Sequence, residues 1–128
     1  MQQKAVPEGV FGFKLTSNDS ELFIGGTNPS KFVGEIEYHP LTSREFWAIG
    51  GANVSLDGRI VASGLDTIID SGTTLMAAAP SVVNSFYANI EGSAFDAEFG
   101  FNTFPCDAPT PEVAFNWGGQ TWSIDPSQ

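Results

Sequence analysis

Apolar residues recur along this chain in short runs with a period of two, and the runs are broken by glycine, proline, asparagine and aspartate. Between residues 10 and 15, Phe11, Phe13 and Leu15 alternate with Gly12 and Lys14, the signature of a strand with one buried face. The next run, "ELFIGG", predicts a second strand closed by a glycine turn. In "NPSKFVGEIEYHP", Phe32, Gly34, Ile36 and Tyr38 fall on one side and Val33, Glu35 and Glu37 on the other, which predicts a third strand ending at Pro40. Two apolar runs then flank Asp57-Gly58, a pair that readily takes the positive φ angles of a two-residue hairpin turn. Leu65, Ile68 and Ile69 predict a further short strand that delivers Asp70 at its end.

The period changes once. Pro80 suits a first helical turn, Val82, Val83, Phe86, Tyr87 and Ile90 follow at helical spacing, and Gly92 stops them. Strand-like pieces resume at "AFDAEFGFNTF", "EVAFNW" and "TWSID", with Gly118-Gly119 as the turn between the last two. The pattern is therefore mostly β with one convincing helix, and with no repeat, low-complexity tract or linker it predicts one domain over residues 1–128.

Composition narrows the function. A chain of 128 residues can bury a core, and 15 acidic against 5 basic side chains give a net charge of −10 that opposes a nucleic acid partner. No run approaches the roughly 20 apolar residues of a membrane span, and "MQQKAVPEG" lacks the apolar centre of a signal peptide. Cys106 is the single cysteine, read either as a buried thiol or as one whose partner lies outside the chain. The triplets at Asn18 and Asn53 fit the glycosylation pattern, whereas Pro29 excludes the one at Asn28. His39 has no cysteine or carboxylate at metal-ligand spacing, so no metal is expected, and no organic cofactor is expected because the aromatic residues read as core and not as a cofactor cage. Glu35, Glu37, Glu45 and Glu98 read as solvated strand faces, and Trp47, Trp117 and Trp122 as core and strand-pairing residues.

The candidate chemistry lies in "LDTIIDSGTTLMAAAP". Ile68 and Ile69 place Asp70 where a strand opens, Ser71, Thr73 and Thr74 offer hydroxyls to orient its carboxylate, and Gly72 leaves room for a substrate backbone. With this context, "IIDSGTTL" resembles the catalytic loop of the pepsin-like aspartic proteases, closest to the C-terminal lobe of fungal secreted members. Ordered matches extend the resemblance over nearly the whole chain: "VFGFKLTSND", "LFIGGTNPSKFVGEIEYHPL", "FWAI" and "FPCDAPTPEVAFNWGGQTWSIDPSQ". The resemblance implies a half-barrel lobe with one or two short helices and Asp70 as one of two catalytic aspartates. By the same resemblance, Ser71 and Thr73 support the loop, and Gly72 and Thr74 contact the substrate backbone.

Departures from that family shape the expectation. Asp19, Asp57, Asp66, Asp96, Asp107 and Asp125 all lack the Asp-Thr/Ser-Gly frame, so this chain supplies one carboxylate of a pair. The resemblance also implies that the lobe is C-terminally incomplete, that the partner of Cys106 lies beyond Gln128, and that the setting is secreted or vacuolar. A peptide or protein substrate is then expected only when a second lobe completes the site, by a separate chain or by a homo-oligomer. The alternative is a non-catalytic binding protein that keeps the lobe as a self-associating scaffold.

Overall fold

A computed structural model of the chain describes residues 5–125, and these divide into two compact units, one up to Ile36 and one from Glu37 onward. The first unit is a hairpin of β1 (Phe11–Lys14) and β2 (Glu21–Ile24), paired antiparallel with Phe11 opposite Ile24. Gly25 and Gly26 follow at φ +92° and +159°, as the predicted glycine turn requires. A single 3-10 turn, Pro29–Lys31, comes next, and the Asn28 side chain caps it by accepting from the Ser30 N–H at 3.1 Å.

The predicted third strand does not form. Residues 32–38 join no ladder, Gly34 sits at φ +82°, and Val33 is fully exposed. Alternation states which face a strand would bury, but a strand also needs a neighbour to take its backbone groups, and among the described residues no strand pairs with this segment.

The second unit is built on a four-stranded antiparallel sheet in the order β4-β3-β7-β8. Its strands are β3 (Ala48–Leu56), β4 (Arg59–Ile68), β7 (Val113–Asn116) and β8 (Thr121–Ser123). Asp57 and Gly58, at φ +48° and +75°, make the predicted two-residue turn between β3 and β4. Asp57 also exchanges hydrogen bonds with Glu112, accepting its N–H on Oδ1 and donating its own N–H to the Glu112 carbonyl, each at 2.9 Å. The hairpin is thereby fastened to the start of β7. Ala48, Ala52, Val54 and Leu56 of β3 with Ala114 of β7 are the buried hydrophobic residues of this core.

Leu65 and Ile68 do not form a strand of their own: they are the end of β4, which runs unbroken from the Asp57-Gly58 turn towards Asp70. Bulges accommodate that length, with register shifts on both sides of Ala52 and positive φ at Gly51 and Gly64. The helix α1 (Pro80–Tyr87) begins at Pro80 as predicted and ends before Ile90. The chain continues through reverse turns until Gly92, at φ +75°, leads it away. Between helix and sheet run β5 (Ala94–Asp96) and β6 (Phe101–Thr103), a small hairpin whose loop is ordered by Asp96 Oδ1 accepting the Glu98 and Phe99 N–H groups. Among the described residues no helix is long and apolar enough to cross a membrane.

Candidate active site

The last backbone bond before the Asp70 turn is Ile69 N–H to the Trp47 carbonyl, at 3.0 Å. Beyond it the chain leaves the sheet, and residues 68–81 are all exposed. Asp70 Oδ1 accepts the Gly72 N–H at 2.8 Å and Oδ2 accepts the Thr73 hydroxyl at 2.5 Å. An aspartate whose side chain takes a backbone N–H two residues on folds its own turn, and here that turn fixes the carboxylate as well. A Cβ on residue 72 would stand 3.2 Å from Asp70 Oδ1, closer than nearly all real contacts, so glycine is the residue that allows this approach.

These donors set the electrostatics. The Thr73 hydroxyl first, and the Gly72 N–H second, hold the Asp70 carboxyl below the ordinary aspartate value, against a small opposing effect of desolvation. No second acid perturbs it. Of the predicted site residues, the turn thus brings Asp70, Gly72 and Thr73 into contact. Ser71 and Thr74 lie on the same turn, exposed, with no hydroxyl partner among the described residues. Around the carboxylate the exposed apolar side chains are Ile69, Leu75 and Met76, each more than half accessible.

Other residues singled out in the sequence fall elsewhere. Glu37 is no solvated strand face: its side chain is 15% exposed, and its Oε2 accepts the Gln120 N–H at 3.0 Å and the Trp122 indole N–H at 3.2 Å. Gly119 makes room for it, because a Cβ there would collide with Glu37 Oε1. His39 Nε2 lies 2.9 Å from Glu37 Oε1 without making a hydrogen bond. The period-two pattern concealed both, since it assigns faces only to strands. Trp47 and Trp122 are 57% and 46% exposed instead of buried, while Trp117 is half-buried. Cys106 is exposed, against the reading of a buried thiol. Asn18 is exposed near the tip of the β1–β2 connection, whereas Asn53 sits within β3 opposite Asn116. Among the described residues no group of three or more His, Cys, Asp or Glu side chains is placed to hold a metal ion.

A mostly β fold in which the chain leaves a strand for an Asp-Ser-Gly-Thr turn, with the hydroxyl and glycine amide both on the carboxylate, suits one family of proteins. The model of the eukaryotic aspartyl protease family matches residues 1–128, and the chain belongs to that family. It is 37% identical over 99% of its length to an aspartic protease of Phaffia rhodozyma, and 32% identical over its full length to a cathepsin D of Clupea harengus. To an aspergillopepsin-1 of Aspergillus oryzae it is 27% identical over 95% of its length. In these three alignments the chain spans 33%, 34% and 32% of the relative, about a third in each case.

Proposed function

We propose that this chain is a C-terminal-lobe segment of a pepsin-like aspartic endopeptidase, secreted or vacuolar in setting, and that Asp70 is its share of a two-carboxylate site. The observation that carries this reading is the Asp70 carboxylate itself: exposed at a strand end, held on one oxygen by Thr73 and on the other by Gly72, with no acid beside it. Two carboxylates brought about 3 Å apart share one proton, because both cannot cheaply be ionised together. The ionised member takes a proton from a water as that water attacks a peptide carbonyl, and the protonated member gives its proton to the carbonyl oxygen. Donors on Asp70 favour its ionised form, yet the titration of an assembled site belongs to the pair.

In this reading Thr73 orients the carboxylate, and Ser71, with its hydroxyl unengaged among the described residues, is available to brace the loop that carries the second aspartate. Gly72 and Thr74 line the face a substrate backbone would approach. No metal or organic cofactor takes part. Alone, the chain has half of the dyad and hydrolyses peptides negligibly. The test is cleavage of denatured protein at about pH 3 to 5, where a carboxylate pair holds a single proton, by the chain alone and with a complementary lobe, each with and without Asp70→Asn.

A second reading is favoured by the apolar surface left uncovered at Ile68, Ile69, Leu75 and Met76. A surface of that kind suits a non-catalytic protein that self-associates through the lobe. Cleavage that never appears with any complementary lobe, together with a stable oligomeric mass, would favour it.

A further inference from the structure

The delivery of Asp70 depends on a short stretch of ladder. After the register shift between Ile49 and Ala52, β4 is tied to β3 only by the pairs Ile49–Thr67 and Ala48–Ile68, and then by the Ile69 N–H on the Trp47 carbonyl. Everything from residue 68 to residue 81 is exposed, so no packed layer steadies the turn from outside.

One side chain reaches this stretch from across the sheet. Trp117 follows β7, past Asn116, whose pairing with Asn53 is the last of the β3–β7 ladder. Its indole N–H donates to Thr67 Oγ1 at 2.8 Å, and the Thr67 hydroxyl in turn donates to the Ile49 carbonyl at 3.1 Å. Because β3 lies between β7 and β4, this bond spans the middle strand, next to the point where β3 carries Gly50 and Gly51. The indole is itself fixed, stacked on Phe115 with ring centres 5.9 Å apart and tilted against His39 at 6.2 Å.

We infer that Trp117, acting through the Thr67 hydroxyl, is a positioning residue for Asp70. It touches neither the carboxylate nor any reacting atom. Its effect is to clamp the end of β4 to β7 three residues before the aspartate, where the ladder has almost run out. The importance of this clamp for catalysis rests on the reading of Asp70 as half of a dyad, but its mechanical effect does not.

The experiment is amide hydrogen exchange on this chain by NMR, comparing Ile69 and Gly72 with Val54 in the middle of β3. A net hydrogen bond of ordinary strength corresponds to about three- to tenfold in a local opening equilibrium. Trp117→Phe, which keeps an aromatic ring beside Phe115 and removes the indole donor, and Thr67→Val, which keeps volume and removes both this bond and the one to the Ile49 carbonyl, are expected to speed exchange at Ile69 by at least that factor and leave Val54 unchanged. Thr67→Ser, which restores a hydroxyl, is expected to exchange like the unaltered chain. The Asp70 midpoint, followed in the same samples, is expected to move up towards an ordinary aspartate in the Val and Phe variants as its turn loosens. If Trp117→Phe fails to fold, benzothienylalanine at residue 117, which keeps the bicyclic shape and has no N–H to donate, decides the matter. Equal rates at Ile69 in all variants, or acceleration that appears equally at Val54, would overturn the clamp. Neither result depends on cleavage, so failure here and failure of the dyad reading remain separate.

Discussion

Asp70 shows what one side chain's surroundings do to its chemistry. A carboxylate that accepts a hydroxyl and an amide N–H resists protonation, and the stronger of the two influences is Thr73. Thr73→Val should therefore raise the Asp70 midpoint, read from its carboxyl chemical shift during titration, and Ser71→Ala should not. Because the folded value is depressed, the stabilisation that Asp70 gives is present above the unfolded value and is lost as pH falls through the folded one. Denaturation of the Asp70→Asn variant should accordingly differ from that of the parent near neutrality and converge with it in strong acid. Full exposure of the group keeps the difference small. Gly72→Ala should disturb the same carboxylate by crowding its Oδ1, visible as an upward midpoint shift without loss of Thr73. The exposed Cys106 thiol should label rapidly in the native chain, and slow labelling that speeds only on denaturation would contradict its placement.

At the scale of elements, the β3–β4 hairpin carries the site, and its turn is the test of local coding. Gly58 at φ +75° lies in the left-handed region that a β-branched residue avoids, so Gly58→Val should destabilise the chain by about 1–2 kcal/mol in denaturant unfolding. A change within error would mean that the turn is not what sets the register. This hairpin, the glycine turn after β2 and the start of α1 are legible because each is written in neighbouring residues: Asp57-Gly58, Gly25-Gly26 and Pro80 dictate backbone angles directly. The failed strand at 32–38 had an equally regular pattern, but pairing is a property of two segments and no single run encodes it. Glu37 was misread for the same reason, since its partners Gln120 and Trp122 lie far along the chain. Asp70 and its turn were readable, because Ser71, Gly72 and Thr73 are adjacent to it. The link from Trp117 to Thr67 was not, because it exists only once β7 and β4 flank β3.

At the scale of the whole molecule, uncovered apolar surface competes with charge. Fully burying a large apolar side chain is worth about 1.5–3 kcal/mol, so Ile68, Ile69, Leu75 and Met76, all more than half exposed, forgo several kcal/mol between them. That is comparable with the roughly 5–15 kcal/mol net stability of a small domain, and a partner or second copy that covered the surface would recover part of it. The net charge of −10 at neutral pH opposes self-association, and the opposition vanishes near the isoelectric point of about 4.1. Sedimentation should therefore show a mass that grows as pH is lowered from 7 towards 4. A monomer throughout that range would indicate that the exposed residues do not drive association. The central claim, that Asp70 is one half of a catalytic pair, is tested most directly by acid-range cleavage of a denatured protein substrate. The chain alone should give none, and addition of a lobe carrying a second Asp-Thr-Gly should bring activity that Asp70→Asn lowers on the order of a thousandfold, within the range for losing a general acid or base. Cleavage by the complemented pair that persists undiminished in the Asp70→Asn variant would contradict it.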